Sequence, residues 1–172
     1  MGYEKRSRSS GGPLHRPRPH VGHYPNGGRP DRHPLSDLRP KVGGLMSPMP
    51  RCTVVSFGYG HGPAPEADVI IDLRELLHRP LPTALRTMDG HDTCIKHWVE
   101  NTPGAWAVIN GVVDMVRAIL AEAPHRNVQV AVGCTGGRHR SVVVAEKIGR
   151  GLEQSGYLVE VDHRDMHRAL VA

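Results

Sequence analysis

The chain lacks the features of a membrane or secreted protein. Its 172 residues contain no apolar stretch near the roughly 20 residues that a membrane-spanning helix needs, and its first residues have no apolar core of the kind found in secretory signals. It has only three cysteines, Cys52, Cys94 and Cys134, and no C-x-x-C pair. This argues against a disulfide framework and against a cysteine zinc site. We therefore expect a cytoplasmic protein without a membrane partner.

The first 50 residues lack what a folded core requires. They contain nine prolines and eight glycines, two tyrosines as their only aromatic residues, and no periodic apolar pattern. Such a composition predicts a disordered tail at residues 1–50, followed by one folded domain at residues 51–172. An alternative is that the tail is a start-site artefact, since Met46 and Met49 each offer a later start.

The positive charge belongs to the tail. Residues 1–50 hold nine Lys or Arg against three acids, about +6, whereas residues 51–172 hold thirteen against fourteen, about −1. The pI of about 9.4 therefore says little about the folded domain. A flexible basic tail could still add nonspecific affinity for polyanions.

Short apolar runs alternate with helical patterns in residues 51–172. Buried strands are predicted at residues 52–57, 69–72 and 128–132, and an alternating last strand, an edge candidate, at residues 157–161. Helices are predicted at residues 92–98 and about 138–154, and a third starts with Thr102 as N-cap and Pro103 at the first helical position. The third helix carries a predicted core stripe of Trp106, Ile109, Val113, Val116 and Leu120. This order predicts an α/β fold with a small, mostly parallel sheet and helices on both faces.

The segment from Gly133 to Ser141, here the 133–141 loop, joins a strand to a helix. It contains three glycines, two hydroxyl side chains, two arginines and a histidine. The unpaired N–H groups and the dipole of a helix start favour an anion. Arg138 and Arg140 add guanidinium donors that match phosphate or carboxylate oxygens. The sequence therefore predicts an anion site at this loop.

Other strand ends carry compatible side chains. His61, Asp72, Arg74, His163 and Arg164 follow predicted parallel strands, whose carboxyl ends share one edge of the sheet. A local ion pair is the alternative for Asp72 and Arg74. The histidines His61, His139 and His163 could converge on zinc, but the interleaved arginines repel a cation, so we expect no metal.

A cysteine-dependent phosphatase is an alternative interpretation of the same loop. Five residues separate Cys134 from Arg140 and Ser141 follows, which is the C-x5-R-S/T spacing of such enzymes. The helix start and Arg140 would favour a nucleophilic thiolate. However, those enzymes usually carry a histidine before the cysteine, where this chain has Gly133. A buried packing role for Cys134 is the simpler prediction.

The decapeptide Gly-Cys-Thr-Gly-Gly-Arg-His-Arg-Ser-Val at residues 133–142 resembles the signature of the carboxyl-terminal domain of RapZ, the RNase adapter protein. Further segments recur in the family's order, at residues 56–62, 67–68, 72–74, 85–90 and 163–165. The resemblance covers residues 52 to about 168.

The resemblance implies a binding domain and not an established enzyme. RapZ proteins join this domain to an amino-terminal P-loop domain, and in enterobacteria it binds small regulatory RNA, presents it to an endoribonuclease and senses glucosamine-6-phosphate. The expected partners are therefore a phosphorylated small molecule or nucleotide, with RNA and a ribonuclease as further candidates, and an oligomer is compatible with the sequence. The candidate ligand-binding residues are Thr135, Gly136, Gly137, His139, Arg140, Ser141, His61, Arg74, His163 and Arg164.

The chain departs from the family pattern at two points. No G-x4-G-K-[ST] motif is present, so ATP hydrolysis is not implied and no cofactor is expected. Where the family carries a pocket histidine after Asp72-Leu73-Arg74, this chain has His78 in a register that is not equivalent. Amino-sugar specificity therefore does not follow from the resemblance.

Overall fold

The computed structural model describes residues 51–170, and the predicted tail at residues 1–50 lies outside the described residues. The described strands are β1 (Arg51–Gly58), β2 (Val69–Asp72), β3 (Val128–Cys134) and β4 (Leu158–His163). The described α-helices are α1 (Leu73–Leu76), α2 (Thr93–Glu100), α3 (Ala105–Glu122) and α4 (Arg140–Gln154). Short 3-10 turns occupy Tyr59–His61 and Thr83–Leu85.

The four strands form one parallel sheet in the order β2-β3-β1-β4. In the central pair, Val54 lies beside Val130, and on the other side of β1 it lies beside Val161. Strands β1 and β3 are valine-rich because they lie inside the sheet, where β-branched side chains pack well. The predicted α/β fold with a mostly parallel sheet is confirmed, and β4 is an edge strand.

The described helices differ from the expected arrangement on both faces of the sheet. Their buried side chains share one core cluster with Cys52, Val54, Val128 and Val130, which all project from the same face. The helical connections from β2 to β3 and from β3 to β4 run in the same direction across the sheet, so right-handed crossovers place both sets of helices on one side. On the opposite face, the side chain of Ile70 is 48% exposed.

Two glycines allow close packing around the sheet. A Cβ atom on Gly149 of α4 would lie 2.5 Å from Cγ2 of Val161 in β4. On the other face, a Cβ atom on Gly133 would lie 2.4 Å from Cζ of Phe57. Since real Cβ atoms do not come this close to other atoms, glycine sets the separation between α4 and β4 and lets the Phe57 ring cover β3.

The start of α3 corrects one prediction. Thr102 is not its N-cap, because the Thr102 hydroxyl donates to the carbonyl of Trp98 at 3.0 Å and so closes α2. The helix begins at Ala105, after Gly104, which has a φ of 84°. Its buried stripe consists of Ala105, Ile109, Val112, Val116 and Leu120. The predicted core residue Trp106 is 47% exposed, because the side chain before it, Ala105, points into the core.

The other helix limits lie close to their predicted positions. Helix α2 begins one residue after Asp92, and α4 ends at Gln154, two residues before Gly156, which has a φ of 91°. A glycine with positive φ just beyond the last turn is the common way to end a helix. None of the described helices alone is long and apolar enough to cross a membrane. Helices α2 and α3 meet these length and composition criteria only when they are taken together, and the two are bent by 85° relative to each other.

The revised α3 stripe predicts a contrast between two large apolar residues. Ile109→Ala should lower the free energy of unfolding by about 2–5 kcal/mol, because it leaves a cavity under the sheet. Trp106→Ala is the matched control and should cost less than about 1 kcal/mol, since its ring is half exposed. Urea denaturation followed by circular dichroism measures both. Equal losses would contradict the observed helix orientation.

Candidate functional site

The parallel strands bring the predicted site residues to one edge of the sheet. Strands β1, β3 and β4 end there as neighbours, at Gly58, Cys134 and His163. The loop after β3 lies directly against the end of β1: the N–H of Gly60 donates to the carbonyl of Thr135 at 2.9 Å. The expectation that these strand ends share an edge therefore agrees with the parallel sheet.

The 133–141 loop turns tightly around the thiol of Cys134. Gly137, with a φ of 69°, donates its N–H to Cys134 Sγ at 3.2 Å. The hydroxyl of Ser141 lies 3.2 Å from the same sulfur, and Cys134 is only 3% exposed. The sulfur thus fills the inside of the turn as a small buried group.

The first turn of α4 leaves backbone donors free. His139 precedes the helix as its N-cap, but its side chain does not cap the helix. In residues 51–170, the N–H groups of Arg140 and Ser141 have no protein acceptor. These are the donors that a helix start offers to an anion.

Arg138 and His139 hold the segment before α2. The Arg138 guanidinium donates to the carbonyls of Met88 and Thr87, both at 3.1 Å. His139 Nε2 donates to the carbonyl of Met88 at 2.9 Å, which leaves Nδ1 as an acceptor in the neutral ring. Burial lowers the pKa of His139 below its ordinary value, although the hydrogen bond to Met88 opposes this change. The ring is therefore neutral at neutral pH.

Arg140 extends from the start of α4 to the end of α1. Its Nη1 donates to the carbonyls of Leu73 and Leu77, at 3.1 and 3.0 Å. Each of these carbonyls also accepts a backbone N–H, that of Leu77 at Leu73 and that of Arg79 at Leu77, and a cation is favourable beside such carbonyl oxygens. The remaining donors, Nε and Nη2, have no partner in the described part of the chain. Arg140 is thus held in place and still has hydrogen-bonding capacity.

Asp72 and Arg74 form the local ion pair that was the alternative interpretation of this strand end. Arg74 Nε and Nη2 donate to the Asp72 carboxylate at 3.0 and 2.6 Å, and the guanidinium lies 3.8 Å from the centre of the Tyr59 ring. The hydrogen bonds from Arg74 hold the pKa of Asp72 below its ordinary value, and the charge of Arg140 acts in the same direction. Asp72 also accepts the Arg74 N–H at 2.9 Å as the N-cap of α1.

Asp165 is a central residue that was not among the candidates. Its side chain is fully buried, and its Oδ2 accepts the N–H of Gly58 at 2.8 Å and Nε of Arg164 at 2.9 Å. Arg168 lies 3.2 Å from Oδ1. Burial alone would raise the pKa of Asp165, but these donors and charges together hold it below its ordinary value. A carboxylate directly after an arginine at a strand end was the available sequence signal.

Arg164 is fully engaged in this contact. Besides Asp165, it donates from Nη1 to the carbonyl of Pro63 at 2.7 Å and from Nη2 to that of Gly58 at 3.3 Å. Its guanidinium also lies 5.2 Å from the centre of the Phe57 ring. Arg164 therefore acts as a structural clamp that joins the ends of β1 and β4.

The histidines take separate positions. His163 Nδ1 lies 2.8 Å from the hydroxyl of the buried Ser56, and burial lowers its pKa, with a further contribution from His91. Within residues 51–170, the buried Nε2 of His61 has no protein partner. In the described chain, His61, His139 and His163 do not form a shared metal cluster. His78 lines a shallow concavity beside Arg79 and Asn101, which contains no residue of the 133–141 loop.

The buried carboxylate predicts a pH-dependent loss of stability. Asp165→Asn should lower the free energy of unfolding by about 3 kcal/mol at pH 7, the lower end for breaking a buried ion pair, because Arg164 and Arg168 reach solvent. Since its pKa is lower in the folded state, the carboxylate stabilises the fold above about pH 4, and this contribution is lost as pH falls through the folded pKa. The difference between variant and parent should therefore shrink on acidification.

Urea denaturation between pH 7 and pH 3 measures this difference. The matched control is Asp162→Asn, an exposed acid on β4 three residues before Asp165, which should change stability by no more than about 0.5 kcal/mol. Similar losses in the two variants at pH 7 would contradict the role of Asp165.

Comparison with known proteins shows which family the sequence matches. The family model of the RapZ C-terminal domain matches residues 50–167. A nucleotide-binding protein of Corynebacterium jeikeium is 37% identical over 121 residues, which are 69% of this chain and 42% of that protein. A nucleotide-binding protein of Streptomyces coelicolor is 37% identical over 141 residues, 78% of this chain and 47% of that protein. The chain spans less than half the length of these two relatives. Since the family model matches well over half of the chain, the chain belongs to the RapZ C-terminal domain family.

Proposed function

We propose that this domain binds a phosphorylated small molecule, either a nucleotide or a sugar phosphate, at the 133–141 loop. In this role it is a regulatory or adapter domain in the cytoplasm and not an enzyme. The observation that carries the proposal is the combination of free N–H groups at the start of α4 with the spare donors of Arg140. The relatives that are named nucleotide-binding proteins support the same ligand class.

The candidate residues divide into two groups in this proposal. Thr135 is exposed at the loop and offers its hydroxyl, while Gly136 leaves room for a phosphate to approach the backbone. Arg140 supplies Nε and Nη2, which match two oxygens of one phosphate. His139 adds its neutral Nδ1, which in that form only accepts and so suits a ligand hydroxyl.

The second group supports the site without binding the phosphate directly. Ser141 faces the sulfur of Cys134, Gly137 completes the turn, and Arg164 is fully engaged. Arg74 has one free Nη1 beyond its pair with Asp72, and His61 has an unpartnered Nε2. These last two remain available for the sugar or base of a larger ligand.

A thermal-shift series tests the anion site. Inorganic phosphate, ATP, GTP and glucosamine-6-phosphate are added in turn to the full chain. A ligand at 100 times its Kd stabilises the folded state by about 2.7 kcal/mol, which raises Tm by several degrees. Thr135→Val should weaken binding about tenfold, because a hydrogen bond to a charged group is worth about 1.5–3 kcal/mol. Arg140→Ala should weaken it more.

The matched control is Arg150→Ala, an exposed arginine farther along α4. It should bind as the parent does. The proposal fails if no anion stabilises the parent, or if Arg150→Ala loses as much affinity as Arg140→Ala. Turnover of an aryl phosphate by the parent that disappears in Cys134→Ser would instead establish the phosphatase alternative. The burial of Cys134 and the engagement of Arg140 with α1 carbonyls argue against that outcome.

RNA backbone is a second candidate ligand, and the division of charge favours it. The tail carries about +6, so it can contribute phosphate contacts in addition to those of the 133–141 loop. Presentation of bound RNA to a ribonuclease, as the family resemblance implies, would need the whole assembly.

RNA binding should weaken steeply with salt. For single-stranded RNA, the slope of log K against log salt is about −0.7 for each phosphate contacted. The double variant Arg138→Ala with Arg140→Ala should therefore make the slope less negative by about 1.4 if each arginine contacts one phosphate. Filter binding at several salt concentrations measures the slope, with Arg150→Ala as control. Binding that keeps its slope in the double variant and also survives loss of Arg164 locates RNA away from the loop.

A further inference from the structure

His91, Glu146 and His163 bring metal-ligating atoms together beside α4. One atom from each side chain lies within 4.8 Å of the other two, and His91 Nε2 lies 3.1 Å from Glu146 Oε1. Two ligands at a zinc–ligand distance of about 2.05 Å in a tetrahedron are about 3.3 Å apart. The ligand atoms therefore need to approach one another by no more than about 1.5 Å to surround one ion.

The fold holds two of these groups face to face. Glu146 lies three residues before Gly149 on α4, and His163 lies two residues after Val161 on β4, so each pair shares a face of its element. Gly149 and Val161 are in direct contact, where a Cβ atom on the glycine would be only 2.5 Å away. This contact sets a short distance between α4 and β4, and it directs Glu146 and His163 towards each other.

The third group comes from the segment before α2. His91 directly follows Gly90, whose N–H donates to the carbonyl of Arg138 at 2.8 Å. This hydrogen bond fixes the segment against the start of α4. The rings of His91 and His163 have centroids 5.3 Å apart at an interplanar angle of 66°. The three ligands thus come from three elements that pack against one another.

Hydrogen bonds outside the cluster orient its ligands. Ser56, which is fully buried, lies 2.8 Å from His163 Nδ1, so Nε2 is the nitrogen left for a metal. Lys96 pairs with the other oxygen of Glu146, Oε2, at 3.3 Å and leaves Oε1 towards His91. Such partners of the ligands typically orient metal sites and fix the histidine tautomer. Lys96 also weakens the site, because its positive charge opposes a second cation.

We propose that His91, Glu146 and His163 form a Zn²⁺ site with a fourth position for water or another ligand. Two imidazole nitrogens and one carboxylate oxygen favour zinc over Mg²⁺ and Ca²⁺, which prefer oxygen ligands. The site is separate from the 133–141 loop and does not depend on the anion proposal. It differs from the sequence expectation of no metal, which considered His61 and His139 with His163.

Metal binding by the full chain tests this site. Zn²⁺ is measured by equilibrium dialysis, and Co²⁺ by the visible absorption of its tetrahedral complexes. Because the tail has four histidines of its own, the comparison between variants decides the result. The parent should bind one more equivalent of Zn²⁺ with high affinity than either His91→Ala or His163→Gln. Both variants should lose the tetrahedral Co²⁺ absorption, and Mg²⁺ should not compete.

Three further variants separate a metal site from a simple ion pair. Ser56→Ala removes no ligand, but it should weaken Zn²⁺ binding by about 10–100-fold because the His163 ring loses the hydrogen bond that orients it. Lys96→Gln should strengthen it, because a competing charge is removed. His97→Ala is the matched control, an exposed histidine on α2 beside Asn101, and should bind as the parent does.

Two outcomes would overturn the proposal. One is that the parent binds no Zn²⁺, and the other is that His91→Ala and His163→Gln keep the parent stoichiometry, which would assign the metal to other histidines. Arg140→Ala should retain Zn²⁺ binding whatever its effect on anions. The two sites can therefore fail independently.

Discussion

The close approach of the β1 end to the 133–141 loop is the constraint on which this edge of the domain depends. A Cβ atom on Gly58 would lie 2.6 Å from the backbone of Gly136 and Gly137, so only glycine permits the contact. The carboxylate of Asp165 stabilises it by accepting the Gly58 N–H. Because Asp165 follows β4, this arrangement joins the ends of three strands. The start of α4 is positioned by the same contact, since the loop leads directly into it.

The arginines at this edge serve structure first. Arg138, Arg140 and Arg164 each donate to backbone carbonyls, and these carbonyls belong to irregular segments, to the two ends of α1 or to the last residue of β1. A carbonyl oxygen has two lone pairs, so it can accept an arginine donor in addition to a backbone N–H. A guanidinium held in this way is preorganised, and it loses little side-chain entropy when it binds an anion. Structural and binding roles are therefore compatible in Arg140, whose Nε and Nη2 are spare.

The sheet could be predicted from the sequence because its strands are short apolar runs bounded by glycine, proline and charged residues. The start of α3 could not, because the Thr102-Pro103 pair matches a helix start equally well. Tertiary contacts and backbone conformation decide between a helix start at Thr102 and the observed start at Ala105. The Thr102 hydroxyl closes α2, and Gly104 can adopt a positive φ. The placement of the helices on one side of the sheet follows from the strand order. The hydrophobic periodicity of the sequence does not reveal this order.

The candidate site was predictable only in part, for a similar reason. Strand ends and the glycine loop are local signals, so the edge and its basic residues could be identified from the sequence. The hydrogen-bond partners are not local: Arg140 contacts carbonyls more than sixty residues away along the chain. Asp165 and the pair of His91 with Glu146 were missed because their significance arises from packing between distant segments.

Helix α4 links the two proposed sites, and its length indicates how strongly they interact. Arg140 begins the helix and Glu146 follows six residues later, which corresponds to about 9 Å along the axis. This separation is close to the Debye length of about 8 Å at physiological ionic strength, so salt reduces the direct electrostatic coupling between bound phosphate and bound zinc without removing it. Mechanical coupling is limited as well, because Gly149 and the buried face of α4 fix the helix on the sheet. The segment at residues 87–91 is a route by which the two sites can be coupled, since it contacts Arg138 and His139 at one end and supplies His91 at the other.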